Sequence, residues 1–146
     1  WGYMVGQGAT TIWELWNGNT ADPTMNSGNH VMLIGDLVVW FYEYLAGIAP
    51  ASPGFKTIVM KPMPVGDLTF VKATHNSPYG LIASEWHKDG KKFDWQIEIP
   101  ANTTTTVYVP ATSLKAVTAK GVKASRFENG RAVFELGSGK YHFVSE

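Results

Sequence analysis

Beyond residue 54 the apolar residues of this chain fall on every second position, which restricts the second half to strands with one buried face. Phe93, Trp95, Ile97 and Ile99 alternate with polar neighbours, the pattern of a half-buried antiparallel strand. Residues 58–61, 68–74, 80–86, 91–100, 104–110, 115–119, 132–136 and 140–145 all read as strands. Asp89-Gly90 signals a hairpin, because both residues tolerate the positive φ of tight primed turns. About eight short strands with regular turns predict a mainly β fold, an antiparallel β-sandwich.

The first half follows another rule. Ile34, Leu37, Val38, Phe41 and Leu45 recur at helical spacing, so 31–45 is expected to be one long helix, capped by Asn26 or Ser27 and closed by Gly47. Its other side is also apolar, with Met32, Val39, Trp40 and Tyr42, and only Asp36 and Glu43 are expected to be wet. A helix apolar nearly all round is normally enclosed by other helices, and this chain supplies few. Residues 1–7 fit the last turns of a helix stopped by Gly8. Residues 9–16, rich in Thr, Ile and Trp, favour an extended segment, and 17–28 read as a loop. Ala49-Pro50-Ala51-Ser52-Pro53-Gly54 marks the boundary, giving expected domains of 1–49 and 50–146.

Composition narrows the function classes. Twelve basic and twelve acidic residues in 146 leave no polybasic surface for nucleic acid or anionic lipid. With no cysteine there is no disulfide framework, thiolate metal cage or cysteine nucleophile. The four histidines lack a zinc-type spacing, so no metal is expected. The longest apolar run is too short for a bilayer. A chain opening at Trp1 rather than Met is expected to be a piece of a longer one.

Two stretches could carry chemistry. In Thr10-Thr11-Ile12-Trp13-Glu14-Leu15-Trp16 a Glu stands beside two tryptophans, where desolvation would suit it to acid–base work. On chemistry alone, an exposed Glu on an edge segment is the simpler reading. In Asn26-Ser27-Gly28-Asn29-His30 the His could donate to a substrate hydroxyl, or merely bond a backbone carbonyl. Asn102-Thr103-Thr104 matches an N-glycosylation pattern that is common by chance. Tyr79, Trp86, Trp95, Tyr108 and Tyr141 could include a sugar platform, although core positions suit most of them better.

Taken in order, Trp1-Gly2-Tyr3-Met4, Gly8-Ala9-Thr10-Thr11-Ile12-Trp13-Glu14, Met25-Asn26-Ser27-Gly28-Asn29-His30 and Phe41-Tyr42-Glu43-Tyr44-Leu45-Ala46-Gly47-Ile48 resemble the C-terminal end of bacterial α-L-rhamnosidases. The tail, with Ala73-Thr74-His75-Asn76-Ser77-Pro78-Tyr79-Gly80 entering a hairpin, continues the resemblance. Family members are inverting glycoside hydrolases that release terminal L-rhamnose, built from an (α/α)6 barrel of helical hairpins and a C-terminal β-sandwich. The resemblance implies that 31–45 is a barrel remnant whose helical neighbours lie outside this chain. It also implies Glu14 as general base, His30 as a rhamnose contact in the −1 subsite and Trp13 as part of the same wall. Leu15 departs from the family, where a basic residue often follows the Glu.

The expected partners are L-rhamnose-containing glycosides and the remainder of the barrel. No cofactor, nucleic acid or membrane is implied, and the compartment stays open. The acid of the family lies in a segment that nothing here matches, so the chain alone is expected to be inactive. Two non-catalytic alternatives remain for the sandwich, binding carbohydrate or buttressing the barrel. Left without neighbours, the apolar helix 31–45 is expected to fold back or to pair with another copy.

Overall fold

The computed structural model describes all residues, 1–146, and divides them into two compact units, Trp1–Trp40 and Phe41–Glu146. In the first, helix α1 (Gly2–Gly6) ends in a turn at Gln7-Gly8, where Gly8 takes a φ of +77° that a side chain would resist. Residues 9–16 form no strand; 11–15 and 26–30 instead lie side by side, joined by isolated hydrogen bonds. Helix α2 (Leu33–Trp40) closes the unit and buries none of its residues.

The expected helix over 31–45 is therefore shorter at both ends. Residues 26–30 are used in pairing with 11–15, so Asn26 and Ser27 cap no helix. Asn26 accepts from Leu15 N, and Ser27 Oγ accepts from Asn29 N. After Trp40 the α-helical geometry gives way to a π-helical stretch, Phe41–Ala46. That widening breaks the 3.6 period, and Glu43 is half-buried rather than wet like Asp36.

The second unit opens with this π-helical stretch. Gly47 follows at φ +74°, so close to the chain opposite that an added Cβ would lie 2.2 Å from Pro62 N. Ten strands then form two sheets. These are β1 (Ile48–Pro50), β2 (Thr57–Met60), β3 (Phe70–Ser77), β4 (Gly80–Asp89), β5 (Lys92–Ile99), β6 (Thr104–Pro110), β7 (Val117–Ala119), β8 (Arg126–Glu128), β9 (Arg131–Leu136) and β10 (Gly139–Ser145). One sheet has the order β1-β2-β6-β9-β8 and the other β3-β4-β5-β10-β7.

The fold is the expected β-sandwich, with two differences. The unforeseen strands, β1 and β8, are three-residue edge strands too short to display alternation. The β2–β6 pair is parallel, whereas every other pair is antiparallel. Asp89 pairs with Lys92, so the β4–β5 turn centres on Gly90-Lys91, one residue later than the Asp89-Gly90 signal, and Gly90 supplies the positive φ of +56°.

Alternate side chains fill the space between the sheets. Ile58, Met60, Val107, Val109 and Phe134 come from one, and Ile82, Trp86, Trp95, Ile97 and Phe143 from the other. Trp86 and Trp95 are fully buried and cannot form a sugar platform. The Tyr79 and Tyr108 rings lie beneath the ammonium groups of Lys56 and Lys61, and the Tyr141 hydroxyl donates to Gly137 O. The β-sandwich end of the π-helical stretch is tied to this core. Trp86 Nε1 donates to Leu45 O at 2.8 Å, Ser84 Oγ to Ala46 O at 2.7 Å, and Trp95 Nε1 to Ser84 Oγ at 2.9 Å.

Candidate functional site

The two residues singled out for chemistry meet in the first unit. Glu14 and His30 are sixteen positions apart in sequence, yet Glu14 Oε2 lies 3.8 Å from His30 Nδ1. That is ion-pair range if the imidazole is protonated and too long for a hydrogen bond. The approach follows from the backbone. Glu14 N donates to Ser27 O at 3.0 Å, and His30 N donates to Ile12 O at 2.6 Å. These bonds set the two residues on adjoining stretches of chain.

The carboxylate is itself anchored, because Ser27 N donates to Glu14 Oε2 at 3.0 Å. A backbone N–H donated to one carboxylate oxygen fixes the side-chain rotamer. The structure gives Oε1 no partner. The Glu14 side chain is 42% exposed and that of His30 is 26%. The two tryptophans therefore do not desolvate Glu14, and burial is not what would prepare it for proton transfer.

Each indole packs against a neighbour in its own unit. Trp13 is half-buried and packs over Gly18, where an added Cβ would come within 2.7 Å of the Trp13 ring. Trp16 is exposed and meets Trp1 edge-on, with ring centroids 5.8 Å apart. Three supporting residues, two of them read from sequence as helix caps, act here in other roles. Thr11 Oγ1 donates to Gly28 O at 2.6 Å, Asn26 Oδ1 accepts from Leu15 N at 3.1 Å, and Ser27 supplies the N–H on Glu14. The paired threonines and the Asn-Ser dipeptide were the available signal, but their partners lie far along the chain. No other carboxylate is recorded in contact with the pair. The arrangement offers one proton acceptor with an imidazole beside it.

Residues 47–124 match the family model for the bacterial alpha-L-rhamnosidase C-terminal domain, which is more than half of the chain. The chain belongs to that family. Residues 1–45 match the bacterial alpha-L-rhamnosidase 6 hairpin glycosidase domain. An alpha-L-rhamnosidase of Streptomyces avermitilis is 37% identical over 99% of this chain, and the match spans 14% of that protein. The crystal structure of Streptomyces avermitilis alpha-L-rhamnosidase complexed with L-rhamnose superposes on the whole chain with a TM-score of 0.90, at 36% identity and over 15% of its own length. An alpha-L-rhamnosidase structure from Dictyoglumus thermophilum gives a TM-score of 0.82 at 36% identity, over 99% of this chain and 17% of that one. The chain thus spans about one-seventh of the length of that Streptomyces relative.

Proposed function

We propose that this chain is the C-terminal portion of an inverting α-L-rhamnosidase in which Glu14 is the general base and His30 contacts the rhamnosyl group. The observation that carries the reading is the Glu14–His30 juxtaposition, with Oε2 held by Ser27 N and Oε1 unpartnered. In this reading Glu14 takes a proton from water as the oxygen attacks the anomeric carbon. His30 holds the sugar beside it, and Trp13 belongs to the same wall. Residues 1–49 end a helical-barrel domain and residues 50–146 form a sandwich that supports it.

Inversion needs a second carboxyl group as acid, about 6.5–9.5 Å from the base, to leave space for the water. The acid would come from residues outside this chain. One carboxylate and one imidazole without an acid or a closed pocket do not provide the alignment on which rate acceleration depends.

The test is hydrolysis of an aryl α-L-rhamnoside by the longest protein encoded in frame with this sequence, beside its Glu14→Gln variant and the 146-residue chain. The longer protein is expected to turn over and Glu14→Gln to lose roughly 10²–10⁴-fold in kcat, the usual worth of a general base. The short chain is expected to be inactive. Rhamnose release by the short chain that is abolished in Glu14→Gln would overturn the assignment of the acid to missing residues.

A further inference from the structure

We propose that Asn26 is a positioning residue for the Glu14 carboxylate, fixing which of its two oxygens is left free to accept a proton. The catalytic meaning rests on the base assignment above; the positioning itself rests on geometry. Segments 11–15 and 26–30 are not strands of a sheet, so no continuous ladder holds their register. Isolated bonds do so: Thr11 Oγ1 to Gly28 O, His30 N to Ile12 O, Glu14 N to Ser27 O and Leu15 N to Asn26 Oδ1. Asn26 makes a further link, since its Nδ2 donates to Gly18 O at 3.4 Å, and it is half-buried. From its place beside Ser27, one amide side chain thereby joins the residue after Glu14 to the turn at 16–20 against which Trp13 packs.

The consequence falls on the carboxylate. Glu14 N donates to Ser27 O while Ser27 N donates to Glu14 Oε2, so residues 14 and 27 close a small ring of two hydrogen bonds. That ring survives only while the register on either side of it is kept, and Asn26 is the side-chain clamp adjacent to both members. With Oε2 held by Ser27 N, proton transfer is assigned to Oε1. Loss of the Asn26 acceptor frees Leu15 N to bond water, because this end of the loop is exposed. The fold therefore tolerates the change while the carboxylate gains rotational freedom. A misplacement of about 1 Å in a catalytic group can cost roughly 10²-fold in rate.

The experiment has two readouts. In the 146-residue chain, the Ser27 amide proton is followed by ¹H–¹⁵N NMR as the carboxylates titrate. It is expected to move with the Glu14 titration in the wild-type chain; Asn26→Asp, which keeps an oxygen acceptor for Leu15 N, is confined to the activity readout because its own carboxylate titrates beside the Ser27 amide. The amide proton is expected not to move in Glu14→Gln or in Asn26→Ala. In the longer enzyme, Asn26→Ala is expected to lower kcat about tenfold with little change in KM, and Asn26→Asp to recover it. A Ser27 amide that still follows Glu14 in Asn26→Ala, or an unchanged kcat there, overturns the positioning role. Full activity of Glu14→Gln overturns the base assignment, and with it the catalytic half of the proposal. A lost Ser27 titration in Asn26→Ala would still support the structural half in that case.

Discussion

A methyl group on residue 18 would sit 2.7 Å from Cγ of Trp13, closer than real side chains approach one another. Gly18→Ala is therefore expected to displace the indole and cost about 1–3 kcal/mol, as overpacking does. Near-UV circular dichroism and a denaturant titration of the first unit's transition would check both effects. The contact also shows where sequence reading stops at this scale. Trp13, Glu14 and His30 stood out through the motifs around them. The partners that hold them did not, because Gly18, Asn26 and Thr11 are ordinary loop residues until their hydrogen bonds and contacts are visible. The simpler reading of Glu14, an exposed carboxylate rather than one desolvated by tryptophans, is what the structure shows. Neighbours in sequence, Trp13 and Trp16, need not be neighbours of the carboxylate in space.

The best-defined element is the π-helical stretch and its exit. Ser84 accepts from buried Trp95 Nε1 and donates to buried Ala46 O, so it is a relay with no water at either end. Ser84→Ala is expected to cost about 1–3 kcal/mol for each group left unpaired, read from urea denaturation. Gly47→Ala meets both a positive φ and a Cβ 2.2 Å from Pro62 N, and is expected to abolish soluble folded protein. On the surface, the Glu85 carboxyl is held below its ordinary range, first by the hydrogen bond from Lys72 and then by that from His87. Its contribution is complete above the ordinary carboxylate range and disappears as pH falls through the lowered value. Glu85→Gln is expected to lower Tm slightly at neutral pH and to match the wild-type chain in acid, because exposed pairs contribute little. The long strands were legible because alternation survives over several residues. The edge strands β1 and β8 and the α-to-π change were not, since neither leaves a repeating pattern.

At the scale of the whole molecule, α2 carries an exposed apolar face. Ile34, Val38 and Val39 are exposed on it and buried nowhere, with Val31 and Met32 exposed just before it. An apolar surface of this kind tends to acquire a cover. The 146-residue chain is expected to self-associate through 31–45 at micromolar concentration. Sedimentation velocity checks this, with Ile34→Glu/Val38→Glu expected to restore a monomer. A wild-type chain monomeric at every concentration would contradict it. The surplus of apolar residues on this helix was visible in the sequence, because they surround the helix nearly all round and the chain supplies few other helices.

Azide rescue of Glu14→Ala in the longer enzyme addresses the general base most directly, since azide attacks without surrendering a proton. If Glu14 is the base of an inverting reaction, hydrolysis falls by roughly 10²–10⁴-fold. Added azide then accelerates aryl rhamnoside consumption and yields β-L-rhamnosyl azide, with the anomeric configuration inverted. Hydrolysis at the wild-type rate, or an azide product of retained α configuration, would contradict the account.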